Sequence, residues 1–403
     1  MPITTCRFFN GYKPCGKNTD CCDACPSKNI PSSRILIIHL EALGAVLRST
    51  ALLAPIKRKF PNSHITWITQ KPAEQLLLSN PLIDLVLNFE MGDILALQSL
   101  KFDATFCIDK SLKACALANQ IQTELLYGFK TSDAGAILPA TDSAEELWSL
   151  GLSDQKKFFE NEKTENQLIC EALELGPYSK DHYLLKLSPS EKSESQKRRE
   201  EWAPQKQTII GINTGCSHVI SYKKLSVEAH RLLIEKISEQ TNFKIVLLGG
   251  KEDSARNALI AKDLDVIQSP TEQGLRDGII SIEACDILVS GDSLGMHIGI
   301  ALQKWSVAWF GPTCSQEIEL YDHGIKVLSQ APCGPCWKRV CDKTSMCYDL
   351  VSTDELFTAI MQGQAKILDG NLNSHAPKPI APPNSQPNNW STKNFNSSDG
   401  FFG

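Results

Sequence analysis

Short apolar runs alternate with amphipathic stretches through most of the chain. Residues 34–40 (Arg-Ile-Leu-Ile-Ile-His-Leu) are almost continuously hydrophobic, as a parallel strand buried on both faces must be. Residues 46–60 carry Val46, Leu53 and Ile56 at helical spacing, basic residues in the last turn and Pro61 as a stop, which predicts a helix. Further strands are expected at 64–69, 82–87, 104–108 and 125–128, with a helix at 111–120. Strands alternating with helices predict an α/β fold built on a doubly wound parallel sheet.

From 144 to 175 the pattern is helical and charged, and Gly176-Pro177 ends it. The lysine-rich, proline-punctuated stretch 188–207 reads as a passage between domains. A second strand–helix series then begins: strand 208–213, loop 214–224, helix 227–239, and strand 244–248 closing on Gly249-Gly250. A short strand (266–268), a helix (271–284), a strand (287–290), a short helix through Gly295, Met296 and His297, and a strand (305–309) stopped by Gly311-Pro312 follow. A strand at 325–328 and a helix from its N-cap Ser352 to about Met361 complete the series. The expected organisation is a cysteine-rich segment (1–33), a first Rossmann-like domain (34–185), a linker (186–207), a second Rossmann-like domain (208–368) and a disordered Asn/Pro/Ser-rich tail (369–403).

Composition narrows the function classes. A chain of 403 residues with 42% hydrophobic and 22% charged residues accommodates two ordinary globular domains. A formal net charge of -5 and the lack of a concentrated basic stretch argue against a nucleic-acid partner. No apolar run is long enough to cross a bilayer, and the polar N-terminal stretch is unlike a signal peptide, so the expected compartment is the cytoplasm.

Fifteen cysteines stand out, in two groups. Cys6, Cys15, Cys21, Cys22 and Cys25 follow C-x8-C-x5-C-C-x2-C; Cys333, Cys336, Cys341 and Cys347 follow C-x2-C-x4-C-x5-C. In a reducing compartment such groups suit a structural zinc or an iron–sulfur cluster, or remain reduced surface thiols; both readings stay open.

The polar residues of the second series gather at strand ends. Asp292, Ser293 and His297 fall between a buried strand and the first turn of a helix, where unpaired N–H groups near Gly295 and Met296 would meet an anion. Singly, they could be a helix cap and an interior histidine. Thr214, Gly215, Lys223 and Lys224 occupy another strand-end loop, and the lysines suit a diphosphate leaving group, unless they are solvated surface charges. Glu252, after Gly249-Gly250, suits a ribose hydroxyl or simply complements a helix dipole. Neither GxGxxG nor GxxxxGK[ST] occurs, which removes support for dinucleotide oxidoreductases and P-loop enzymes.

In order along the chain, Leu43-Gly44 with Arg48-Ser49-Thr50, Asn213-Thr214-Gly215, Leu248-Gly249-Gly250 with Glu252-Asp253, Asp292-Ser-Leu-Gly-Met-His297 and Phe310-Gly-Pro-Thr313 resemble glycosyltransferase family 9, the ADP-heptose:lipopolysaccharide heptosyltransferases. The resemblance covers about 34–361 and excludes the cysteine-rich leader and the tail. It implies a GT-B architecture, with two Rossmann-like domains facing a cleft, acceptor on the first and nucleotide-sugar on the second. It also implies metal-independent, inverting transfer from an ADP-sugar to a lipid-linked saccharide, with peripheral contact at the inner membrane. By position, Lys223 would contact phosphate, Glu252 the ribose, and 292–297 the diphosphate and sugar.

One departure bears on catalysis. The family's first loop reads Leu-Gly-Asp, its aspartate the proposed general base; here that position is Ala45. Losing a positioned base lowers rate by roughly 10²–10⁴-fold. Glu41 is the first candidate to replace it, its other reading being an exposed loop carboxylate, and His39 is a further neighbour. Two alternatives follow: a nucleotide-sugar-binding protein without turnover, and a metal or iron–sulfur protein on the same fold.

Overall fold

The computed structural model describes residues 3–9, 11, 12 and 15–370. Of the stretch expected to be disordered, 369–403, residues 371 onward lie outside the described residues. Two six-stranded sheets form the frame. The first contains β1 (Ser33–Ile38), β2 (Ser63–Thr69), β3 (Leu85–Asn88), β4 (Lys101–Cys107), β5 (Gln122–Thr131) and β6 (Ile137–Pro139), in the order β3-β2-β1-β4-β5-β6. All neighbours are parallel except β5 and β6.

The second sheet contains β7 (Ile209–Asn213), β8 (Lys244–Leu248), β9 (Ile267–Gln268), β10 (Ile287–Gly291), β11 (Trp305–Phe310) and β12 (Gly324–Leu328), in the order β12-β11-β10-β7-β8-β9. It is parallel throughout. Both orders reverse at one strand pair, β1/β4 and β7/β10, the doubly wound arrangement in which ligands bind beyond the carboxyl ends of the strands.

The apolar runs account for the register. Ile35, Leu36, Ile37 and Ile38 are all fully buried because helices cover both faces of their sheet, and Ile35 and Ile37 stand beside Ile65 and Trp67 of β2. In the other sheet Ile287 and Val289 stand beside Ile210 and Ile212.

Local chemistry shapes three helical segments. The helix expected at 46–60 is two helices, Leu43–Ser49 and Leu53–Lys59, joined by a 3-10 turn at Thr50–Leu52. Pro55 lacks the N–H that would bond to Ala51, which favours a break there. The passage expected at 188–207 is mostly one helix, Pro189–Trp202, opened by a reciprocal capping box between Ser188 and Glu191. It docks through buried Arg198, which donates to Asp277 Oδ2 (3.1 Å) and Ser281 Oγ (2.7 Å). The last helix, Thr353–Leu368, outruns its expected end because Gly363 is a contact point rather than a stop. A Cβ there would lie 2.6 Å from Trp305 Nε1.

The domains meet through the helix that follows β1 in the first and the helix that follows β10 in the second. Helix Leu43–Ser49 packs on helix Leu294–Ala301, and Leu47 and Leu76 of the first domain join Met296, Ile298 and Phe310 of the second in one apolar cluster. This contact places the two switch points opposite each other.

Candidate active site

The second switch point is knitted together by Asn213 at the end of β7. Its Nδ2 donates to Gly215 O (2.9 Å), Ser290 Oγ (3.1 Å) and Ser293 Oγ (3.0 Å), tying the β7 and β10 loops. Gly295 is needed for this approach, since a Cβ there would stand 2.6 Å from Asn213 Cγ. Thr214 is fully buried and donates to Leu248 O (3.0 Å), so its hydroxyl holds the loop to β8. Gly215 lies against the Asp253 carboxylate, 2.7 Å from Oδ1 for a Cβ added there, and Asp253 Oδ2 accepts Gly250 N–H (3.0 Å). Glu252 projects to solvent at the same turn.

Lys223, Asp292 and His297 form the charged centre. Lys223 Nζ is 3.4 Å from Asp292 Oδ2, and His297 Nε2 is 4.0 Å from Oδ1. Burial alone would raise the Asp292 carboxyl, but Lys223 and then His297 hold it below its usual value, so it is an anion beside an ammonium. His297 is pushed down to about 3, chiefly by burial and next by Arg48, and is therefore neutral. Its ring stacks on Tyr183 (6.1 Å between centroids, 26° between planes). Ser293 is the N-cap of helix Leu294–Ala301, Gly295 and the fully buried Met296 lie in its first turn, and Lys224 follows Lys223 in the loop after β7.

The first switch point faces this centre. Gly44 abuts the His297 ring: a Cβ added there would come within 2.9 Å of Nε2. Ala45 is the next residue on that helix. Glu41 lies at the end of β1, half exposed and ion-paired with Lys113, and Asp109 Oδ2 accepts the N–H groups of Leu40 and Glu41 (both 3.1 Å). His39, buried beneath this loop, is lowered to about 4 by desolvation against the pull of Asp109.

Between the domains runs a network that sequence reading missed. Arg48 Nη2 lies 2.6 Å from Glu165 Oε2, and despite burial Arg48 and then Lys110 hold Glu165 down at about 2. Glu317 of the second domain pairs with Lys157 of the first at 3.6 Å; burial, with Glu165 nearby, pushes it up to about 7. His39 Nδ1, Arg48 Nε, Tyr183 Oη and His297 Nδ1 are buried without a hydrogen-bond partner among the described residues. Residues 48, 165, 183 and 317 are far apart in sequence, and only the quoted Arg48-Ser49-Thr50 motif gave a hint of one of them.

The C-terminal cysteine loop buttresses the site. Cys336 and Trp337 donate their N–H groups to Pro312 O (3.0 and 2.9 Å), Tyr222 Oη donates to Lys338 O, and Trp337 Nε1 contacts Cys314 Sγ (3.3 Å). Burial and then Cys336, Cys341 and Cys333 push the Cys347 thiol up to about 11, so the four sulfurs share one neighbourhood. Among the described residues no three His, Cys, Asp or Glu side chains are gathered as a metal-holding group, at these cysteines or elsewhere.

Two facing doubly wound domains across a cleft make up the GT-B architecture, and solved structures of that architecture superpose on this chain. The family model for glycosyltransferase family 9 (heptosyltransferase) matches residues 94–346, more than half of the sequence, and the chain belongs to that family. Lipopolysaccharide heptosyltransferase 1 of Campylobacter coli is 22% identical over 355 residues, spanning 82% of this chain and 98% of that protein. The solved glycosyltransferase family 9 structure from Veillonella parvula superposes with a TM-score of 0.64 at 16% identity, over 84% of this chain and 99% of that one. The ADP-heptose lipopolysaccharide heptosyltransferase II of E. coli does so with a TM-score of 0.56 at 17% identity, over 82% and 99%. No described helix is long and apolar enough to cross a membrane.

Proposed function

We propose that this protein is an inverting transferase that moves a heptose, or a closely related sugar, from an ADP-sugar to lipopolysaccharide core or a related bacterial surface glycan. The observation that carries this reading is the apposition of the Lys223–Asp292–His297 centre with Gly44 and Ala45, at the start of helix Leu43–Ser49, across the cleft. The acceptor hydroxyl attacks the anomeric carbon from the face opposite ADP; the new C–O bond forms as the bond to the β-phosphate oxygen breaks, inverting the centre.

Charge developing on ADP is met by Lys223, Lys224 and the N–H groups opening helix Leu294–Ala301 at Gly295 and Met296. Thr214, Gly215 and Ser293 shape that pocket, and Glu252 takes the ribose hydroxyls. Asp292 accepts sugar hydroxyls once phosphate competes for Lys223. No metal is required for these steps. The acceptor is lipid-linked and met by peripheral contact at the inner membrane; exposed Leu152 and Phe159, flanking the Lys157 segment beside the cleft, suit that contact.

With Ala45 at the position of the family's base, Glu41 takes the acceptor proton. Calorimetric titration with ADP, UDP and GDP, followed by transfer assays, tests these assignments. ADP is expected to bind tightest, and Glu41→Gln to lower kcat by roughly 10²–10⁴-fold with ADP affinity kept. Unchanged transfer removes Glu41 as the base. ADP-sugar binding without turnover by the unaltered protein, restored by Ala45→Asp, favours instead a binding protein that has lost its base.

A further inference from the structure

The cysteine-rich leader lies outside the family match and takes no part in the cleft. It docks at the opposite, amino edge of the first sheet. Buried Arg7 is ion-paired with Asp84 and donates to Asn62 Oδ1 (3.0 Å) and Ser63 O (2.9 Å) at the start of β2, while its own N–H bonds to Asn29 O (2.7 Å). Beyond this anchor the segment has little to fold around. Among the described residues from 3 to 30, Phe8 is the one buried apolar side chain, and there is no helix or strand. Such a stretch cannot offset its ordering entropy by burial.

What the leader does have is convergence of its sulfurs. Cys6, Cys15, Cys21, Cys22 and Cys25 all line one cavity of about 20 Å³, with Phe8, Phe9 and Asp20 in its wall. That is room for one water-sized sphere. Two of the turns that bring the thiols there begin at cysteines: Cys25 N–H donates to Cys22 O (3.0 Å), and Phe9 N–H to Cys6 O (2.9 Å). The Cys22–Cys25 turn is the CxxC turn by which thiolate sites present two ligands side by side. All five cysteines are free and partly exposed, hence accessible to an ion.

We infer that the leader is a structural zinc module in which Cys6, Cys15, Cys22 and Cys25 close on a single tetrahedral ion at the amino edge of the first domain, away from the transfer site. Neighbouring residues rarely aim both side chains at one centre, and Cys22 belongs to the CxxC turn, so Cys21 is the thiol left over. The five cysteines line the cavity, but no three of their side chains stand together at ligand distance; on this inference, χ1 rotations on the existing turns bring them in as each thiol gives up its proton to the solvent. The cavity holds one ion, not a multi-iron cluster.

This inference does not rest on the transferase reading, and its test reads no transfer. Full-length protein is alkylated with iodoacetamide with zinc bound and after chelation, and each cysteine is followed by mass spectrometry. Cys6, Cys15, Cys22 and Cys25 are expected to react at least ten-fold more slowly with zinc and Cys21 equally in both states, which also separates this site from Cys333, Cys336, Cys341 and Cys347. The Cys22→Ser/Cys25→Ser protein should hold about one zinc equivalent less than wild type, and Cys21→Ser should keep it. Equal alkylation with and without zinc overturns the assignment, as does iron with acid-labile sulfide at these cysteines or loss of zinc with Cys21→Ser alone.

Discussion

Gly44, in the first domain, lies against the imidazole of His297, in the second, so closely that the position has no room for a methyl group. The glycine is at the start of the helix that carries Ala45 and Arg48, and the histidine ends the segment that holds Asp292. The first helix of one domain and the Asp292–His297 segment of the other thus meet at a backbone-to-ring contact. Gly44→Ala must displace the His297 ring or part the domains. Either change misplaces Asp292 relative to Lys223, so ADP-sugar affinity should fall by about ten-fold or more, a loss of roughly 1.4 kcal/mol. Titration calorimetry checks this; unaltered affinity would show that the ring yields freely.

The Arg48–Glu165 pair should govern stability as well as site geometry. Both side chains are largely buried and lie 2.6 Å apart, and Arg48 Nε already lacks a partner. Glu165→Ala leaves the guanidinium uncompensated between the domains, and breaking one side of a buried pair costs about 3–5 kcal/mol. Urea unfolding should show this as a lowered midpoint, whereas a loss below about 1 kcal/mol would mean that the pair behaves as a surface bridge.

Acid lability follows from buried histidines. His39, His64 and His230 are each lowered to about 4 by burial, and His297 to about 3. The unfolded chain takes up these protons near pH 6.5 and the folded chain does not, so stability rises with pH across the window from about 4 to 6.5 and falls on acidification through it. Glu165, held at about 2, adds a loss below the ordinary carboxyl range. At about 1.4 kcal/mol per pKa unit, the shift is worth at most about 3 kcal/mol for each histidine lowered to about 4 and at most about 5 kcal/mol for His297. His230 lies outside the cleft, where its Nδ1 meets Ser226 O at 2.8 Å. Thermal melts should therefore show a smaller drop in Tm between pH 6.5 and 4.5 for His230→Gln than for wild type; identical slopes would remove His230 from this account.

Eleven of the twelve strands in the two sheets were legible in the chain because strands covered on both faces must be almost uniformly apolar, as residues 35–38 and 287–289 are. The Asp292–His297 motif was legible too, since a strand end, a polar turn and a helix start are consecutive in sequence. β6 escaped notice because three residues carry no period, and the last helix, expected to end at about Met361, runs on to Leu368 with Gly363 packed against Trp305, a contact that no local pattern reveals.

The tertiary structure alone decided the pairing of Gly44 with His297, the Arg48–Glu165 pair within the first domain, the Lys157–Glu317 contact across the cleft, and the gathering of five leader cysteines around one cavity. Hydrophobic periodicity is a property of neighbouring residues and is written locally. An ion pair between positions 157 and 317 depends on how two domains pack, and no local pattern encodes it.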